Sequence, residues 1–164
     1  MAARKCDMRV MAYDVFLTLH VLGLVLLLGN VTVTSIWKVF ADRGRNPVII
    51  AHAQRLVTIT DWFCTGGGIL LLNIGGFGAA YVAGIDPFGA DWLVHAELLF
   101  LLSGCLWLFI LVPIQTRQAR MARGFANGGP IPEAYWREAR RWIFWGLVAT
   151  VPLVAATWVM IAKP

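Results

Sequence analysis

Charge is scarce in this sequence. Of 164 residues only 14 are lysine or arginine and nine are aspartate or glutamate, while 59% are hydrophobic. Soluble domains carry about 25% charged and about 45–50% apolar residues. The shortfall excludes an ordinary water-soluble domain and points to an integral membrane protein. Cysteine is scarce as well. Cys6, Cys64 and Cys105 are odd in number and lack CxxC spacing, which argues against a disulfide framework or a zinc site. Cys64 and Cys105 fall in apolar stretches, where a free thiol behaves as a small hydrophobe. Methionine-rich and paired-cysteine motifs, which soft Cu(I) prefers, are missing. The net charge of +5 comes from basic residues set beside apolar runs. They read as topology signals and headgroup contacts, so no nucleic-acid partner is expected.

What the chain does have is long apolar runs. About 20 residues at 1.5 Å rise cross the hydrocarbon layer. Val15 to Trp37 contains no charge, and Trp92 to Thr116 contains only Glu97. The first run is too long for the core of a signal peptide and lacks a small-residue cleavage site, so it is read as a mature helix. Trp62 to Ile85 is also free of charge except for what precedes it, and a fourth run follows Trp142. The expected fold is all-α, an integral membrane four-helix bundle. It forms a single domain over residues 1–164, with helices at approximately 13–39, 48–84, 92–117 and 136–162. Residues Met1 to Asp14 are expected as a polar tail, Ala41 to Pro47 as a turn, Ile85 to Asp91 as a loop, and Gln115 to Glu138 as an arginine-rich connector. Gly75 with Ala79 and Gly76 with Ala80 have the small-xxx-small spacing of closely packed membrane helices. Trp37, Trp92, Trp142 and Trp145 sit at helix ends, as an interfacial aromatic belt requires.

Ionisable groups inside spans are expensive and usually functional, and two spans carry a histidine near their start. His20 lies roughly 7–8 Å into the first span and His95 roughly 4–5 Å into the third, at 1.5 Å per residue. The first and third helices of a four-span chain start at the same membrane face, so the two imidazoles share a depth. Two histidines at one level on two helices suit axial ligation of a haem iron. Gly23, Gly75 and Gly76 lie on the same face and could make room for a porphyrin, or simply bring helices together. The alternative role for each histidine is an interhelical hydrogen bond. Glu97 is about 200° round the helix from His95, which disfavours a non-haem metal site. His52, Arg55 and Asp61 form a second polar group at the start of helix two, with Asn30 and Lys38 as further members. Its readings are an interfacial ion pair or a propionate, quinone-headgroup or proton site.

Leu19-His20-Val21-Leu22-Gly23 with Gly29-Asn30 and Trp37-Lys38, Gln54-Arg55-Leu56-Val57 leading to Thr60-Asp61-Trp62, and the Trp92 to Gln115 helix with its arginine-rich exit resemble a group of bacterial predicted integral membrane proteins. That group brings no assigned activity. More distantly, a histidine early in helix one is similar to the HemJ-type haem-binding protoporphyrinogen oxidases, and CopD-like proteins look related. The HemJ type pairs that histidine with a third-helix lysine; here His95 would have to take its place. The resemblance implies the bacterial inner membrane as location and haem b as cofactor. The expected function is electron transfer or oxidoreductase chemistry, with a quinone or a membrane redox protein as partner. A cofactor-free transport accessory or assembly protein and a copper-handling protein stand as alternatives, and homo-oligomerisation stays open. The positive-inside rule puts the first and third connectors in the cytoplasm and both termini outside, against the pull of Arg4, Lys5 and Arg9.

Overall fold

The computed structural model describes the backbone of residues 2–163 and the side chains of residues 7–163. Arg4, Lys5 and Cys6 therefore lie outside the described side chains. The fold is all-α, built on four long helices. Helix α1 spans Ala2–Arg43, α2 Pro47–Ala83, α3 Asp91–Phe125 and α4 Glu133–Ala162. Each has the length and composition to cross a membrane.

Two helices run further than the expected bounds, for local reasons. Residues 2–14 contain no glycine or proline, so nothing in them stops α1, and the expected polar tail is helical. The expected connector after Gln115 is helical to Phe125 because it is amphipathic. Gln115, Gln118, Ala122 and Phe125 are buried, while Thr116, Arg117, Arg120 and Arg123 are exposed, which is the helical period.

The turns carry ordinary chemistry. Asn46 caps α2, its Oδ1 accepting from the Val48 and Ile49 amides at 3.0 and 3.3 Å, and Pro47 takes the first helical position. Gly84 ends α2 in the left-handed region at φ 71°. The Ile85 amide reaches the Ala80 carbonyl at 3.0 Å and the Gly84 amide that of Tyr81 at 3.2 Å, a Schellman ending. Each of the two middle helices contains one wide π turn, at Asp61–Gly66 and Trp107–Leu111. The second directly precedes Pro113, which has no N–H to continue the regular ladder.

Packing divides the chain into two compact units. One comprises the chain up to Val33 together with Thr60–Ala90, the other Thr34–Ile59 together with the chain from Asp91 onward. In the first, the leading part of α1 lies against the trailing part of α2 through glycine contacts. In the second, all four helices meet. Ala41 of α1, Ile50 of α2, Ala122 and Phe125 of α3 and Tyr135 and Ala139 of α4 form one apolar cluster. Val57, Leu111, Ile114, Trp142 and Ala149 form another. This unit is a four-helix bundle on its own. Ser103 ties α3 to α4 by donating to the Ala149 carbonyl at 2.7 Å, one turn ahead of Pro152, which lies within the continuous helix.

Only 11–22% of the residues in the apolar windows are buried. The rest expose side chains such as Val25, Phe63, Tyr81, Phe109 and Trp158. An apolar surface that extensive requires lipid around it.

Candidate functional site

His20 stands in the first unit, at a contact made by glycines. A methyl group added to Gly75 would meet the His20 amide nitrogen and lie 2.6 Å from the Phe16 carbonyl. One on Gly23 would meet the Leu72 amide and lie 2.7 Å from the Gly68 carbonyl. Backbone touches backbone here, and only hydrogen on Cα fits. Of the glycines expected to flank a macrocycle, Gly23 and Gly75 thus lie against the opposing helix, and α1 and α2 themselves fill the space between them. Gly76 lies under the imidazole, where an added methyl would sit 2.9 Å from Nδ1 and 3.2 Å from Cε1.

The ring is held by one bond. His20 Nδ1 is 2.8 Å from the Leu72 carbonyl oxygen. A carbonyl only accepts, so Nδ1 carries a proton, and in the neutral imidazole the lone pair is on Nε2. Nε2 forms no hydrogen bond with any described residue, and it lies further from Gly76 than Nδ1 or Cε1 does. A histidine that gives one N–H to a backbone carbonyl and keeps the other nitrogen bare is in the state metals bind.

His95 belongs to the second unit. Its neighbours Leu93 and Ala96 are buried, whereas His95 is exposed on the α3 surface. Among the described residues neither of its nitrogens has a hydrogen-bond partner.

The second polar group divides. His52 and Arg55 are exposed in the second unit, and Arg55 forms no ion pair among the described residues. Asp61 is buried in the first unit, inside the π turn. Asn30 Nδ2 donates to Asp61 Oδ1 at 2.8 Å and to Thr65 Oγ1 at 3.0 Å, and the Thr65 hydroxyl donates to Asp61 Oδ1 at 3.3 Å. Asn30 therefore joins Asp61, as the sequence suggested. Lys38 does not join them.

Lys38 instead anchors a group the sequence did not reveal. It is 1% exposed in the second unit. Its Nζ donates to Asp42 Oδ2 at 3.0 Å and to Tyr135 Oη at 2.8 Å, while the Tyr135 hydroxyl donates to Asp42 Oδ1 at 2.8 Å. The three side chains close a ring in which the ammonium, the hydroxyl and both carboxylate oxygens are used. The i,i+4 spacing of Lys38 and Asp42 was visible in the sequence; Tyr135, almost a hundred residues on, was not. At the surface nearby, Glu138 pairs with Arg117 and Arg141 at 3.1 and 3.2 Å.

Among the described residues no three His, Cys, Asp or Glu side chains converge to hold a metal ion. Cys64 and Cys105 are free thiols. Any metal bound through the histidines would have to bring most of its own ligands, as a haem iron does.

No curated protein and no solved structure matches the chain. Residues 14–164, almost the whole length, match the model of a family described as "Predicted integral membrane protein (DUF2269)". With four spanning helices and this match, the chain is an integral, multi-pass membrane protein and belongs to that family.

Proposed function

We propose that this membrane protein binds b-type haem and serves electron transfer, and that His20 would hold the iron through Nε2. The observation that carries the reading is the 2.8 Å bond from His20 Nδ1–H to the Leu72 carbonyl, which leaves Nε2 as a bare lone pair. That bond also fixes the ring plane and the tautomer. Gly23, Gly75 and Gly76 act through packing: they press α1 on α2 and so hold His20 in place. By the depth argument from the sequence His95 would be the second ligand, and its exposed ring has no competing partner among the described residues. When bound, haem supplies one-electron redox chemistry at its iron, and two imidazole ligands suit electron transfer better than oxygen activation. A quinone or a membrane redox protein would be the partner. By the positive-inside rule the arginine-rich turns face the cytoplasm of a bacterial inner membrane.

A second reading is a cofactor-free assembly or transport accessory. One observation favours it: the His20–Leu72 bond joins two helices, as a purely structural histidine would. Optical spectra of the detergent-purified protein, oxidised and dithionite-reduced, separate the two. Haem binding predicts sharp reduced alpha and Soret bands in wild type and in His52→Ala, lost or shifted in His20→Ala and His95→Ala. A featureless wild-type spectrum after haem supplementation overturns the proposal in favour of the second reading.

A further inference from the structure

Within the second unit, α1, α2 and α3 each send a polar side chain into the layer between the two apolar clusters. In α2, Ile50 belongs to one cluster and Val57 to the other, and Gln54 lies between them on the same face. In α3, Ala122 and Ile114 bracket Gln118 in the same way. Lys38 of α1 lies between the aromatic members contributed by α4, its Nζ 4.9 Å from the Tyr135 ring centroid and 5.8 Å from that of Trp142. Gln54 is 1% exposed and Gln118 0%. Yet Nε2 and Oε1 of Gln54, Nε2 and Oε1 of Gln118, and Oε1 of Gln115 form no hydrogen bond with any described residue.

Desolvated amide atoms without partners are costly, and five of them would consume a large part of a domain's net stability. Their ligand must both donate and accept. An anion would leave the Oε1 atoms unpaired, and a metal cation would leave the Nε2 atoms unpaired. Water satisfies both.

We infer that this layer is a hydrated site, with internal water bridging Gln54, Gln118 and the Lys38–Asp42–Tyr135 ring. An internal water makes about three hydrogen bonds, so about two molecules serve the four amide atoms of Gln54 and Gln118. Water there also meets the remaining N–H of Lys38, whose Nζ has two oxygen partners for three donors. The buried ammonium thereby gains a neighbour with which it exchanges protons. The site involves neither His20 nor His95 and stands or falls apart from haem binding.

The test is water-edited solid-state NMR of the labelled full chain in lipid bilayers. Transfer from water to the Gln54 and Gln118 side-chain amides is expected within a few-fold of the rate at exposed Arg120, and at least several-fold faster than to the methyls of Ile50, Val57 and Ile114. Amides as slow as those methyls overturn the inference, since the layer is then dry. Gln54→Met is expected to slow transfer to Gln118 as well, because the water is shared; an unchanged rate at Gln118 in the folded variant overturns the bridging. Should the variant fail to fold, the wild-type rates still decide whether the layer is wet.

Discussion

Lys38 shows how a single residue in an apolar run can acquire a defined role. Its ammonium is desolvated and relies on Asp42 and on the Tyr135 hydroxyl. Tyr135→Phe removes a hydroxyl that both accepts from Lys38 and donates to Asp42, and should cost about 1–3 kcal/mol. Breaking a buried pair by removing one member is worse, about 3–5 kcal/mol, whereas replacing both members by apolar groups is often neutral. Lys38→Met should therefore lower the melting temperature in detergent, and Lys38→Met with Asp42→Leu should recover most of the loss. Additive losses in that cycle would show that the two side chains do not act as a pair. This chemistry was only half legible. The i,i+4 spacing displays Lys38 and Asp42 as neighbours, but a lysine next to Trp37 at the end of an apolar run reads equally well as a side chain snorkelling to the membrane surface. What makes it buried is Tyr135, and no local pattern links the first helix to the fourth. Gln54 and Gln118 were obscured in another way: neutral amides among arginines look like solvated surface until the helix faces are assigned.

At the scale of the element, the contact between α1 and α2 depends on glycine in the first unit and on the apolar cluster that holds Ala41 and Ile50 in the second. Gly75→Ala would put a methyl against the His20 backbone and 2.6 Å from the Phe16 carbonyl, forcing the helices apart. Overpacking of this kind costs about 1–3 kcal/mol. Gly104 and Gly146 face open space on α3 and α4, so alanine there should be neutral or stabilising through helix propensity, worth up to about 1 kcal/mol in water. Thermal melts of the three variants in one detergent check the contrast. Equal melting temperatures would mean that α1 and α2 do not rely on this contact. The small-xxx-small spacing of Gly75 with Ala79 and Gly76 with Ala80 was readable as close packing, and Gly75, Ala79 and Ala80 are buried. Gly23 was harder, because its partner is the backbone of Gly68 and Leu72, which sequence spacing on one helix cannot name. Helix ends differ from the expected bounds where charge in the sequence reads as a loop. The stretch from Gln115 to Phe125 continues as helix because its arginines occupy only the exposed face.

At the scale of the molecule, the distribution of basic residues determines which way the four spans run. The turn after α1 carries Arg43 and Arg45, and the end of α3 and start of α4 carry Arg117, Arg120, Arg123, Arg137, Arg140 and Arg141. Glu138 offsets two of these through its pairs with Arg117 and Arg141. The turn after α2 holds Asp86 and no basic residue, and Lys163 lies over the Trp92 ring at 5.1 Å, a contact that shields the charge. Lysine and arginine in short loops favour retention of those loops in the cytoplasm, and under the orientation proposed above that imbalance outweighs the basic residues of the N-terminal segment. A fluorescent protein inserted after residue 127 should therefore fold and fluoresce, whereas alkaline phosphatase inserted after residue 87 or fused after residue 163 should be active. Replacing Arg117, Arg120, Arg123, Arg137, Arg140 and Arg141 together by glutamine should leave Arg4, Lys5 and Arg9 to dominate and shift a fraction of molecules to the reverse pattern. If wild type itself gives the reverse pattern, the N-terminal charges set the orientation, and the Lys38 layer faces the outside of the cell.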